Sequence, residues 1–416
     1  MSTAPLLPAT ERVFTGKGEI ADRSWWRTED EEVAYRPASE PGEPRILPPG
    51  HPAAYEAGKE LVAAVDTALL LRKPLIVTGK PGTGKTELAE RIAYAMDLGP
   101  VLRFEAQSLS EANDLFYRFD HIAQLIAAKL VETNRGDPED ADVMNFVQFG
   151  PLGKAILRST PGLEDRLVEE AREMTARRFA SVAASMAGKA LPNPNPNPNP
   201  KPGAEPVRGD STARPAQVPR RPVDTKGRRS VVLIDEIDKA SRDFPNDLLN
   251  GIDRMDFRLR ELGSRPVRGA GRDSDLHPIV VVTSNSERDL PPPFMRRCVY
   301  AHIADPGREQ LAAIVRKRVF GNPAAPPEGS DGLPTLYSRL LTAFVELRDD
   351  KNAPLRYAIG TSELLDVAIA ARRRGIDGSD TSAPVVERLK QFIGALAKDE
   401  KDAERVAERL TRLAAA

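Results

Sequence analysis

The sequence predicts an α/β fold, a P-loop parallel sheet flanked by helices, followed by an α-helical lid domain. Three observations predict it. Residues 74–97 (PLIVTGKPGTGKTELAERIAYAMD) read as strand, glycine loop and helix in succession. Two more short runs, 231–234 and 279–283, have the Val- and Ile-rich composition of strands buried on both faces of a parallel sheet, and each ends in polar residues. From residue 306 onward the apolar side chains recur only at helical spacing.

The chain divides, on this reading, into five parts: an N-terminal arm (1–46), a first part of the α/β core (47–190), a disordered Pro/Asn-rich insertion (191–229), a second part of the core (230–304) and the helical lid (305–416). Both tryptophans, Trp25 and Trp26, stand in the arm, where they read as pinning it to its own domain, with a docking anchor as the alternative. Residues 51–71 put Ala57, Leu61, Val62, Val65, Leu69 and Leu70 on one helical face. Residues 101–105 form a second strand. Residues 108–135 read as helix, with Leu115, Ile122, Leu125, Ile126 and Leu130 as its apolar set. The run FVQFGPLGKAI (146–156) reads as a turn entering a helix, and 163–190 as a charged helix. Alternating Pro and Asn from 192 to 200 cannot build a helix or a central strand. The Arg-rich stretch 220–229 reads as a solvated tether, with a contact to an acidic partner or nucleic acid as the alternative. Order returns with SVVLIDEIDKA, a helix at 245–254, a Gly- and Arg-rich hairpin or loop at 262–276, the strand 279–283 and another at 299–303. Helices then follow at 311–319, 333–347, 362–373 and 385–396, with an amphipathic end at 398–412.

The glycine loop carries the chemistry. Gly79-Lys80-Pro81-Gly82-Thr83-Gly84-Lys85-Thr86 satisfies G-x-x-x-x-G-K-[ST] at every required position, and Glu87 follows in the helix. Glycines allow a tight turn that aims backbone N–H groups at an anion, and the helix dipole adds positive potential at the same point. Lys85 reaches the β- and γ-phosphates, and the Thr86 hydroxyl is a ligand for Mg2+. Asp235 and Glu236 end a buried strand at the sheet edge where α/β proteins keep their ligands. There Asp235 holds Mg2+ and Glu236 orients and polarises the attacking water. Asp238 and Lys239 read as local capping or salt-bridge residues. Asn285 ends the next strand, where its amide holds the same water or the γ-phosphate. Arg296 and Arg297 precede the strand at 299–303. From there an arginine reaches not its own glycine loop but that of a neighbouring subunit, where it stabilises charge on the phosphoryl group.

Composition narrows the rest. Net charge is −1 over 416 residues, so no global basic field points to nucleic acid. One cysteine excludes a disulfide framework and a cysteine metal cluster and fits a reducing compartment. The four histidines lack ligand spacing, no run approaches the length of a membrane span, and the first residues lack the pattern of an export signal; a cytoplasmic protein is expected.

The order P-loop, Asp-Glu strand, strand ending in Asn, Arg-Arg-Cys and helical lid resembles an AAA+ ATPase. The segments ALLLRKPLIVTGKPGTGKTELA, DLFYRFDH, FGPLGKAI, VVLIDEIDKA, FPNDLLN, TSNSERDLPPPFMRRC and GTSELLD resemble the MoxR-like group in particular. The resemblance spans about 50–190 and 230–400. It implies ATP and Mg2+ as cofactors, a ring that is usually hexameric, and a chaperone that remodels or matures client proteins, often with a companion carrying a von Willebrand factor A domain. By the same resemblance Lys85 and Thr86 are Walker A, Asp235 and Glu236 Walker B, Asn285 sensor 1, and Arg297 the arginine finger, with Arg296 in reserve. The chain departs from the family at sensor 2: residues 359–364 carry no arginine, and Arg356 lies just upstream. The competing reading is a nucleic-acid-directed NTPase motor, supported by the basic linker and the Arg-rich 262–272 segment.

Overall fold

The computed structural model describes residues 51–133, 135–187, 227–321, 330–376 and 378–415. The arm with Trp25 and Trp26 and the Pro/Asn run lie outside the described residues.

Helix α1 (Lys59–Leu71) leads into strand β1 (Leu75–Gly79), the glycine loop and α2 (Lys85–Ala95). After β2 (Leu102–Glu105) come β3 (Tyr117–Phe119), α3 (His121–Glu132), β4 (Val147–Phe149), α4 (Pro151–Ser159) and α5 (Leu163–Ala187). The second half holds β5 (Val231–Asp235), α6 (Phe244–Arg254), β6 (Asp256–Leu259), β7 (Arg265–Arg268), β8 (Ile279–Ser284), the short α7 (Pro292–Met295) and β9 (Val299–Ile303). The helical unit consists of α8 (Arg308–Phe320), α9 (Thr335–Asp349), α10 (Thr361–Arg373), α11 (Ala383–Lys390), α12 (Ile393–Leu396) and α13 (Glu400–Ala415).

Five strands form one parallel sheet in the order β2–β5–β8–β1–β9. Period-two alternation divides the same strands between two cores. Ile76, Val232, Ile234, Val280 and Val282 enter one core with Phe244, Leu152 and Ile156. Leu75, Val77, Val231, Leu233, Ile279 and Val281 enter the other with α1 and α2. Burial on both faces explains why these runs are apolar throughout rather than alternating. The helical unit has its own core, built on Leu311, Leu336, Leu340, Phe344, Leu364, Val406 and Leu410.

The 262–276 segment supplies β7, the second strand of the antiparallel hairpin with β6, and a loop. Three expectations need correction. The helix read over 108–135 shrinks to α3, because a 3-10 turn (Ala112–Leu115) and β3 precede it. Its expected core set splits: Leu115 is buried in the turn, whereas Ile122, Leu125, Ile126 and Leu130 are exposed. The reason is topological. β3 and β4 form a two-stranded ribbon that carries α3 away from the five-stranded sheet. On α1, Leu70 is 56% exposed rather than packed. At the end of the insertion, Arg228 and Arg229 are docked rather than tethered. The Arg228 N–H donates to Arg158 O at 2.7 Å, and buried Arg229 donates through Nε to His277 O at 2.8 Å.

The two glycines of FGPLGKAI make their contacts inside the fold. A Cβ at Gly153 would lie 1.9 Å from the backbone oxygen of Phe116. Both groups are fixed backbone, so the clash is relieved only by moving α4 off the turn. Gly153→Ala is expected to cost about 2–3 kcal/mol, seen as a lowered Tm at unchanged nucleotide chemistry; an unchanged Tm would contradict the packing.

Candidate active site

Strand β1 ends at Gly79 and α2 opens at Lys85, so the glycine loop fills the gap between a buried strand and a helix N-terminus. Gly82 (φ 75°) and Gly84 (φ 86°) adopt left-handed conformations that a side chain would strain. Space is also limiting. A Cβ at Gly82 would meet Ser362 Oγ at 2.5 Å, and one at Gly84 would meet the Tyr55 ring at 2.9 Å. The loop is thus pressed between the N-terminus of α10 and the 52–55 turn. Thr83 Oγ1 closes it by donating to Lys80 O at 2.8 Å. Pro81, between them, has its carbonyl beside Gly360.

The Lys85 ammonium lies inside the loop and donates to Gly79 O and Lys80 O, both at 2.8 Å. Burial lowers its proton affinity, while Asp235, Glu236 and Asp238 pull the other way. Its neighbour Thr86 donates from Oγ1 to Asp235 at 3.0 and 3.2 Å. A carboxylate and a hydroxyl converging at a helix N-terminus form an all-oxygen donor set that suits Mg2+.

The β5 end adds Glu236. One carboxylate oxygen accepts from Asn285 Nδ2 at 3.0 Å and the other from Lys239 Nζ. The Lys239 hydrogen bond is the main reason the carboxyl is held below the usual range, against the opposing effect of burial. Lys239 therefore forms the local salt bridge read from sequence. Asp238 does not act locally. It is buried, and its oxygens accept the backbone N–H groups of Asn285 (3.3 Å) and Glu287 (3.1 Å), stitching the β5 end to the β8 end. Thr283 is also buried here, bonded to both Asp235 and the Glu236 amide. Sequence reasoning passed over it, although it is a hydroxyl inside an otherwise Val-rich strand.

Five expected residues are thus brought together from three adjacent strands: Lys85 and Thr86 after β1, Asp235 and Glu236 after β5, and Asn285 after β8. Arg296 and Arg297 lie elsewhere. They precede β9, which runs parallel to β1 with Leu75 opposite Val299. The arginines therefore stand at the opposite edge of the sheet from the glycine loop, a strand length of roughly 15 Å away. Arg297 donates from Nε to Asp253 Oδ2 at 2.6 Å and from Nη1 to Pro293 O at 3.1 Å. Arg296 is exposed.

Glu87 points to the helical unit. Its carboxylate pairs with Arg318 of α8 at 2.5 Å, and the Arg318 side chain is only 7% exposed. Lys80 pairs with Asp305 at 2.6 Å, and Lys317 with Glu56 at 3.1 Å. Arg356 is turned elsewhere: it is 72% exposed, 3.6 Å from Asp399, and lies against the Tyr357 ring. The lid arginine that meets the glycine-loop helix is Arg318. Its signal in the sequence was one of two basic residues, Lys317 and Arg318, in the last turn of a mixed-polarity helix, which periodicity alone does not single out.

Residues 74–140 match the AAA domain family, dynein-related subfamily. The AAA match begins at the residue before β1, runs through the glycine loop, α2, β2, β3 and α3, and ends before β4. With the parallel sheet and the C-terminal helices, it supports an AAA+ ATPase with a P-loop nucleotide site. No curated protein matches the chain. Among the described residues no helix is long and apolar enough to cross a membrane.

Proposed function

We propose that this protein is a MoxR-like AAA+ ATPase that hydrolyses ATP with Mg2+ in an oligomeric ring and uses the cycle to remodel or mature partner proteins in the cytoplasm. The observation that carries the reading is the convergence of Lys85, Thr86, Asp235, Glu236 and Asn285 at one sheet edge.

Each side chain has a distinct task. The amides of the loop from Gly79 to Lys85 bind phosphate oxygens, and the Lys85 ammonium exchanges its carbonyl partners for the β- and γ-phosphates. Mg2+ held by Asp235 and Thr86 would neutralise charge on the phosphate chain. Glu236, kept ionised by Lys239, orients a water and accepts its proton, while Asn285 fixes that carboxylate. Arg318 and Glu87 tie the lid to the same helix, so closure of the lid and occupancy of the loop are mechanically linked.

Arg297 completes the site of a neighbouring subunit, since the parallel register of β9 with β1 leaves it at the sheet edge opposite its own loop. The test is a mixing experiment. Arg297→Ala and Lys85→Ala rings are each inactive alone. In equal mixture, random pairing rebuilds about one site in four, and turnover returns in proportion. Full activity of Arg297→Ala alone, or no recovery on mixing, would reject a finger acting between subunits. The nucleic-acid motor is less well supported, because its Arg-rich segment is partly engaged in ion pairs: Arg265 with Glu170 at 2.7 Å and Arg272 with Asp253 at 3.0 Å.

A further inference from the structure

We propose that Thr283 is a positioning residue that holds Asp235 and Glu236 in register through a single hydroxyl. The inference rests on the ATPase reading above and adds to it a residue outside the nucleotide motifs.

Thr283 lies on β8, the strand between β5 and β1, and is fully buried. Its Oγ1 donates to Asp235 Oδ1 and accepts the backbone N–H of Glu236 at 2.8 Å. A hydroxyl has one donor and two acceptor positions, so one oxygen serves both neighbours at once. Asp235 Oδ1 also receives Thr86 Oγ1 at 3.2 Å, and Oδ2 receives it at 3.0 Å. The carboxylate is therefore oriented from two strands, by Thr86 after β1 and by Thr283 on β8.

Glu236 has more need of such a hold than most residues. It takes a left-handed conformation (φ 54°), which costs a non-glycine residue about 1 kcal/mol and is kept only where the surroundings impose it. Thr283 supplies the partner for its amide. Two residues further along, Asn285 takes its carboxylate at 3.0 Å, so β8 grips Glu236 at both backbone and side chain. Packing alone does not account for a threonine here. Val280, Val281 and Val282 precede it, and valine fills nearly the same volume. What valine lacks is the hydroxyl, and without it two partly buried polar groups, the Asp235 carboxylate and the Glu236 amide, lose a partner.

The test compares Thr283→Val, Thr283→Ala and Thr283→Ser with wild type in the full chain. A fluorescent non-hydrolysable ATP analogue is titrated in Mg2+ and in EDTA, and kcat and KM are measured for ATP. For Thr283→Val we expect kcat to fall about 10- to 100-fold, and the gain in analogue affinity conferred by Mg2+ to shrink about fivefold. Affinity in EDTA should stay within about twofold of wild type, because the glycine loop is untouched. Thr283→Ala should behave likewise if the valine variant does not fold, and Thr283→Ser should restore both quantities. A merely structural role would lower affinity in EDTA and in Mg2+ alike. That result, an unchanged Thr283→Val, or a serine variant as impaired as valine would overturn the assignment. Absence of turnover in wild type would instead strike the ATPase reading, while the Mg2+ arm of the titration would still decide the role of Thr283.

Discussion

Lys85→Ala is expected to reduce ATP turnover by about 10³-fold and to weaken nucleotide binding enough to be lost at micromolar protein. The ammonium is already inside the loop, 2.8 Å from two carbonyl oxygens. Truncation leaves the Gly79 and Lys80 carbonyls without that donor and removes the positive charge that would face the phosphates. The fold should survive, since α2 is anchored by Leu88, Ala89, Ile92 and Ala93, all buried. Circular dichroism matching wild type, with nucleotide binding gone by calorimetry, is the expected pair of results. Undiminished turnover would remove the glycine loop from the chemistry.

Glu236→Gln separates binding from hydrolysis. The amide keeps the size of the carboxylate and can still accept from Asn285, but it cannot take a proton from water. Hydrolysis is expected to fall about 10²- to 10³-fold with ATP affinity near wild type. Loss of the anion also releases Lys239, whose proton affinity is raised chiefly by its hydrogen bond to Glu236. The variant should therefore accumulate in the ATP-bound state and retain its client long enough for recovery from native lysate, with and without nuclease. A nuclease-resistant protein partner supports the remodelling role; recovery that vanishes with nuclease supports the nucleic-acid motor. Wild-type turnover in Glu236→Gln would move the general base to another residue.

The nucleotide motifs were legible in the chain because their geometry is local. A strand, a glycine loop and a helix must be contiguous for the loop to wrap a phosphate, so residues 74–97 reveal the site without any knowledge of the fold. The Asp-Glu and Asn strand ends were legible for a related reason: a strand buried on both faces is apolar until it leaves the sheet, and the first polar residues mark the edge. Periodicity likewise revealed the helical unit, although 385–396 breaks into α11 and α12.

Contacts across strands were not legible. Asp238 looked like a residue for its own turn, yet its carboxylate serves amides 47 and 49 positions away. Arg318 carried no assignment from the sequence and proves to be the link from lid to glycine-loop helix. The α3 side chains read as core because helical spacing reports a stripe and not what covers it; the β3–β4 ribbon carries that stripe into the open.

By itself, then, the sequence determined the parallel sheet, the phosphate loop and the acids and amide that end its strands, since each depends on residues adjacent in the chain. Only the tertiary structure decided the strand order β2–β5–β8–β1–β9, the lid arginine that meets the loop helix, and the buried hydroxyl of Thr283 between Asp235 and Glu236. Those depend on which strands lie side by side, and hydrogen bonds between neighbouring strands leave no periodic trace in either of them.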